Sequence, residues 1–534
     1  MQLRQFTAAL LHSKTLPVVL LLASLYILPF PAYSQDVLTY HNNNARTGVN
    51  PNETILTLAN VNMANFGKLF TIPTDGLVDA QPLYLSAVTI DGVAHNLVIV
   101  ATEHGTVYGF DADTGANLWH ITTLKAGETT ADNRHCDQVD PEIGITSTPV
   151  IFRPKNAAPA IYVVAMSKDS NGDYHQRLHA LDVTDGHELH NGPVEIKAKY
   201  PGTGDNSSGG YVIFDPGQYK ERAGLLLIKN TVYLAWASHC DIRPYTGWIM
   251  GYDINTLAQT TVLNLTPNGN EGAIWGAGAG MAADTDGNIF VLDANGEFDS
   301  NMTASGFPKN GNYGNAFLRI TTQGGLAVAD YFEMHNQAAE NNGDIDLGSG
   351  GTLLVNGKDA AGNIIPLAVG AGKDTNLYIV DRTAMGKFAP AANKIYQELP
   401  HALPGGVWSM PAMFNGRLYY GPVGSPILAF QFNNAKLMPT PVARTPNHFG
   451  YPGATPSIST NAGQNVIVWA AQNSTPATLH AYDAKTLNQL YSSNQAPNGR
   501  DHMGPGNKYV TPTIANGKVY VATKNGIGVF GLLK

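Results

Sequence analysis

Cysteine is nearly absent: Cys136 and Cys240 are the only two in 534 residues. Two thiols cannot staple a chain of this length, so the fold must rest on an apolar core. Charge is also scarce, at 14% of residues, with no block of Lys or Arg and a formal net charge of −9. That balance argues against nucleic acid or an anionic membrane surface as partner. Past residue 34 no apolar run is long enough to span a membrane. The H-E-x-x-H, paired C-x-x-C and EF-hand spacings are missing, as are a C-x-x-C-H haem site and a G-x-S-x-G nucleophile elbow. The stretch from Gly276 to Gly280 is glycine-rich but has no β-α-β context, so it is not a dinucleotide loop.

What is present points to an exported all-β protein. Hydrophobic residues make up 43% of the chain, and 56 Gly with 32 Pro imply many turns and short strands. Arg4 and Lys14 precede an apolar run over residues 16–30, and Ala32-Tyr33-Ser34 supplies small residues for processing. This reads as a signal peptide over residues 1–34, cleaved after Ser34, for a periplasmic or extracellular protein. In an oxidising compartment the even pair Cys136 and Cys240 predicts one disulfide.

Residues 97–119 set a repeat: an apolar strand, a short polar turn, a second strand ending in Asp-Ala, then Asp-Thr-Gly and a third strand ending on Trp119. Alternation at this spacing suits half-buried antiparallel strands. Weaker copies recur to the C-terminus, many behind a small-residue Pro motif such as Ser147-Thr148-Pro149 or Ala454-Thr455-Pro456. Each copy has the size of one four-stranded sheet, which is the signature of a propeller blade. The fold class is therefore an all-β, eight-bladed β-propeller, with seven blades as the alternative count. The last copy lacks an outer strand, and residues 67–73 form an orphan strand ahead of the first copy. Pairing the two would hide an open edge and close the ring. The expected organisation is residues 35–66 as a polar lead-in over the ring and 67–534 as one propeller domain. Truncation through residue 60 is then expected to be milder than truncation through residue 73.

The Asp-Ala-x-Thr-Gly-x-x-x-Trp pattern resembles the PQQ-type propeller repeat over nearly the whole mature chain. That family includes quinoprotein alcohol dehydrogenases, which use pyrroloquinoline quinone (PQQ) and calcium, and outer-membrane assembly scaffolds that bind partners without chemistry. The resemblance implies fold more than function. The dehydrogenases carry adjacent cysteines over the cofactor, whereas Cys136 and Cys240 stand far apart. PQQ and calcium are therefore not the favoured cofactors.

Blade topology places two kinds of segment on one face of the ring: the turns between second and third strands, and the segments entering the inner strands. The turns bring Glu103, His104, Lys168, His239, Asp241, Lys373, Asp374 and Lys524; the entries bring Glu142, Trp275 and Trp408. These are the candidate ligand-binding residues, with Glu142 and His239 favoured because each lies near a cysteine. Glu142, Asn295 and Asp346 offer the oxygen atoms of a candidate calcium site. The expected function is binding of a polar small molecule, a glycan or a protein segment by a monomer at this central mouth. A quinoprotein oxidoreductase, or a hydrolase or lyase, is the rival.

Overall fold

The computed structural model describes residues 36–155 and 157–534. The signal peptide expected over residues 1–34, and its cleavage after Ser34, lie outside the described residues. In the first blade, Leu83–Ile90, Val93–Ala101, Thr106–Asp111 and Asn117–Thr122 form an antiparallel meander. Among the described residues, eight sheets contain such a four-stranded meander, following one another along the chain. Their inner strands are Leu83–Ile90, Val150–Phe152, Leu226–Ile228, Ala282–Ala283, Leu353–Lys358, Ala412–Phe414, Ser457–Asn461 and Thr513–Ala515. From the second to the eighth each inner strand lies against the next, and the eighth lies against the first. Between the first and second, Arg153 Nη2 donates to Ser86 O at 2.7 Å.

The last blade is completed from the other end of the chain. Phe66–Pro73 pairs antiparallel with Gly526–Leu532, from Phe66 opposite Leu532 to Pro73 opposite Gly526. This is the closure anticipated from the orphan strand.

The repeat motif has a local cause. Asp111 Oδ1 accepts from the backbone N–H groups of Asp113 and Thr114 and from Thr114 Oγ1, fixing the turn. The same Asp-to-Thr bonding recurs at Asp253 with Thr256 and at Asp483 with Thr486. Trp119 then folds back over Gly109, where an added Cβ would sit 2.3 Å from the indole. Its Nε1 donates to Val183 O of the second blade at 2.8 Å, so the repeat tryptophan binds two blades together. Gly109→Ala should overpack this junction and destabilise by about 1–3 kcal/mol. Chemical denaturation will measure it; an unchanged midpoint would show that the indole has room to move.

Residues 36–66 do more than cover the ring. The stretch 37–53 runs past the inner strand of every blade. Val37 pairs with Tyr84, and Leu38 O accepts from Ile151 N–H. Asn44 Nδ2 donates to Leu227 O, while Asn44 O accepts from Ala283 N–H. The carbonyls of Ala45, Thr47 and Gly48 accept from Leu354, Met413 and Ile458. Asn50 Nδ2 donates to Ile514 O, and Glu53 Oε2 accepts from Gly517 N–H. Inner strands present an unpaired edge to the channel, and this segment satisfies them in turn. Its Asn content follows, because an amide side chain offers the donor and acceptor of a backbone unit. Arg46, fully buried, anchors the plug: Nε donates to Met281 O at 2.9 Å and Nη1 to Tyr40 O at 2.7 Å.

Candidate functional site

Above the plug, the segments entering the inner strands and the turns between second and third strands enclose a cavity of about 280 Å³. Ala277 lines it, and Ala279, two residues on, belongs to the same buried apolar cluster as Tyr40 of the plug.

One wall is aromatic. Trp408, Tyr451 and Tyr509 enter the sixth, seventh and eighth blades and meet edge to face, with ring centroids 5.7 and 6.3 Å apart. The two tyrosine hydroxyls are 2.6 Å apart, and Tyr509 OH donates to Gln138 Oε1 at 3.2 Å. Arg222 lies over the Tyr509 ring at 4.2 Å. Trp275, half-buried, contributes from the approach to the fourth blade.

The charged groups fall into two sets. Lys373 Nζ bridges Asp344 Oδ1 at 2.7 Å and Asp346 Oδ2 at 2.6 Å. Burial pushes the Asp346 pKa up, and Lys373 opposes it only in part. Burial pulls Lys373 down, but Asp346 and Asp344 outweigh it and the net direction is upward. Asp346 Oδ1 accepts from Asn295 N–H at 2.8 Å, and the Asn295 side-chain Oδ1 is buried without a hydrogen-bond partner. Asp241 lines the same cavity. The second set is Lys220 and Arg222, both buried, with Glu103, Glu221 and Asp79 behind them. Arg222 Nη1 reaches Asp79 only at 3.9 Å and has no hydrogen-bond partner. Burial, then the neighbouring Asp79 charge, holds the Glu103 carboxyl well above the usual range, and burial pushes Glu221 up to about 7.

Of the candidate residues, Asp241, Trp275, Lys373 and Trp408 line the cavity, as does Asp346. The others are engaged elsewhere. Glu103 is fully buried and accepts from Gly144 N–H and Thr146 Oγ1. His104 pairs with Glu142 at 3.0 Å, and Thr130 Oγ1 donates to Glu142 at 2.7 Å. Lys168 pairs with Asp132 at 2.7 Å, Asp374 accepts from Tyr378 OH, and Lys524 lines a separate depression with Asp79 and Lys508. His239 is buried, and burial, then the Lys220 charge, lowers its pKa to about 3. Thus neither favoured position, Glu142 nor His239, reaches the cavity wall. Of the candidate calcium set, Asn295 and Asp346 adjoin, whereas Glu142 is engaged by His104 and Thr130; the carboxylates that line the cavity are Asp241, Asp344 and Asp346. Among the described residues, the His, Cys, Asp and Glu atoms gathered tightly enough to hold one ion are those of Asp182, Asp185 and His187, and the last two are exposed.

Sequence reasoning missed Lys220 and Arg222. A signal existed: Lys220-Glu221-Arg222 is a dense charge run at an inner-strand entry in a chain otherwise poor in charge. The disulfide was legible. Cys136 and Cys240 are bonded, with Cα atoms 5.5 Å apart, and Cys240 lines the cavity.

A family model described as outer membrane protein assembly factor BamB matches residues 71–209. No curated relative matches in sequence. Among solved structures, the quinohemoprotein alcohol dehydrogenase of Comamonas testosteroni is similar at 14% identity, with 93% of this chain and 80% of that chain covered and a TM-score of 0.61. A europium-containing methanol dehydrogenase is similar at 13% identity, covering 92% and 90%, with a TM-score of 0.54. No helix of the described residues is long and apolar enough to cross a membrane. Sheet order and structural likeness together show that this chain has the β-propeller fold of those structures, and the family-model match covers residues 71–209.

Proposed function

We propose that the chain is an exported monomer that binds a compact, planar, polyanionic small molecule in its mouth cavity. The observation that carries this is one cavity combining half-buried tryptophan faces with the buried amine of Lys220 and the buried Arg222 guanidinium, whose Nη1 has no hydrogen-bond partner. Indole faces accept flat rings, and guanidinium recognises carboxylate or phosphate. At about 280 Å³ the space lies just below the roughly 300–1,000 Å³ of ordinary small-molecule sites. That suits a compact ligand better than a glycan chain or protein segment.

A second reading, a quinoprotein oxidoreductase, is favoured by Asp241, Asn295, Asp346 and Lys373. PQQ is a flat fused ring carrying several carboxylates and adjacent carbonyls, and the cations and tryptophans fit it. A hard divalent cation would be held by Asp346 and Asp241 on the cavity wall, with the unpartnered Oδ1 of Asn295, whose backbone N–H bonds Asp346, as a further oxygen. When bound, such a pair supplies a two-electron acceptor and a Lewis acid at its carbonyl oxygen. Arg222 and Lys220 would hold its acidic groups, and Lys373 would be kept oriented by its two aspartates.

The test is titration of the purified protein with PQQ, with and without calcium, followed by tryptophan fluorescence and absorbance. Saturable quenching is expected. A charge-assisted hydrogen bond contributes about 1.5–3 kcal/mol, so Arg222→Met should weaken binding roughly ten- to hundred-fold. Absence of saturable quenching with PQQ and with simpler planar polycarboxylates would overturn the reading. Binding without turnover of an alcohol would retain the site and remove the oxidoreductase.

A further inference from the structure

Lys220 stands apart from the other cations of the cavity. Lys373 is clamped by two aspartates, and Arg222 is stacked on Tyr509. Lys220 is fully buried, and its Nζ donates to Cys136 Sγ at 3.8 Å. Sulfur is a weak acceptor, and among the described residues no carboxylate forms an ion pair with this amine. The backbone holds it there, since Tyr219–Lys220 pairs with Ala237–Ser238 beside the Cys240 turn. Arg222, His239, Glu103, Asp79 and Glu221 are the titratable and charged groups that surround it. Burial pulls its pKa down, the Arg222 charge adds to this, and the three carboxyls offset it in part, leaving it at about 7. A lysine so placed is substantially a neutral amine near neutral pH, which is the nucleophilic form.

We propose that Lys220 is a carbonyl-capturing amine that forms an imine with an aldehyde, ketone or quinone carbonyl of the planar anion held in the mouth cavity. This rests on the reading of the cavity as that ligand's site. The Nζ lone pair forms a new C–N bond, and the C=O π pair moves to oxygen, which takes up a proton. That proton comes from the nitrogen, and the carbinolamine then loses its hydroxyl and the one remaining nitrogen proton as water, leaving C=N. Nothing is oxidised or reduced. Expulsion of water needs an acid, and Glu103, whose carboxyl burial holds well above the usual range, with Glu221, pushed up to about 7, can supply the proton.

The probe is pyridoxal 5′-phosphate, a planar, anionic aldehyde, used on the full exported chain with its disulfide intact. Cyanoborohydride delivers hydride to the imine carbon, fixing it as a secondary amine that peptide mass spectrometry locates. At pH 7, labelling of Lys220 should exceed that of any exposed lysine by at least about tenfold. Saturating PQQ should suppress it by a similar factor. Label confined to exposed lysines, while PQQ still quenches tryptophan fluorescence, would overturn the imine and leave the mouth site standing. Label on Lys220 that PQQ does not block would place the amine outside the ligand's reach and overturn the proposal. Neither label nor quenching would remove both.

Discussion

A chain beginning at residue 61 is expected to fail to fold, and to do so as completely as one beginning at residue 74. The sequence alone ranked the shorter deletion as milder, since residues 36–60 looked like a polar cover. The structure changes the expected order. Removing residues 36–60 takes away Val37, Tyr40, Val49 and Leu56, all buried. At roughly 1.5–3 kcal/mol for each buried apolar side chain, the loss is of the order of 6–12 kcal/mol. Total stabilities lie at about 5–15 kcal/mol, so little or nothing would remain. The deletion also strips hydrogen-bond partners from inner strands of all eight blades. A finer probe is Arg46→Met, which leaves the carbonyls of Met281 and Tyr40 without their donor. That should cost about 3 kcal/mol or more. Near-ultraviolet circular dichroism and denaturation midpoints will decide. A chain starting at residue 61 that refolds with a native midpoint would reduce the plug to a passenger.

Replacing both cysteines by alanine should reduce stability and ligand binding together. The disulfide joins positions 104 residues apart, the approach to the second blade and a turn of the third. For a loop of that length chain entropy allows at most about 4–5 kcal/mol. The local effect matters more for the site. Cys240 and Asp241 both have left-handed backbone, with φ of 50° and 56°. Such residues relax unless the surroundings hold them, and Asp241 forms part of the cavity wall. Without the crosslink this turn should drift, and affinity for a mouth ligand should fall at least about tenfold, a change worth 1.4 kcal/mol. Unchanged affinity in a folded double variant would show that the turn is held by its other contacts, such as Tyr245 OH donating to Asp241.

From sequence alone the repeat was readable, and with it the all-β fold, the closure by the N-terminal strand and the single disulfide. These follow from local rules: alternation sets a strand, Asp-x-x-Thr-Gly sets a turn through bonds within four residues, and an open edge demands a partner. The mouth face was also legible, because blade topology sends inner-strand entries and second-to-third turns to the same side. Asp241, Trp275, Lys373 and Trp408 were found that way. Only the tertiary structure decided which mouth residues share one cavity. Glu142, Lys168 and Asp374 were assigned to the same mouth face as Lys373, yet each is taken up by a neighbour, namely His104, Asp132 and Tyr378. Lys220 and Arg222 were hidden for the opposite reason. A charge run reads as solvated surface, and its burial becomes visible only once Glu103 and Asp79 are brought beside it from other parts of the chain. The plug was hidden likewise, since its Asn-rich composition looks like loop until inner-strand edges from eight blades surround it. Contacts between residues hundreds of positions apart leave no periodicity in the chain, and both the cavity and the plug are made of such contacts.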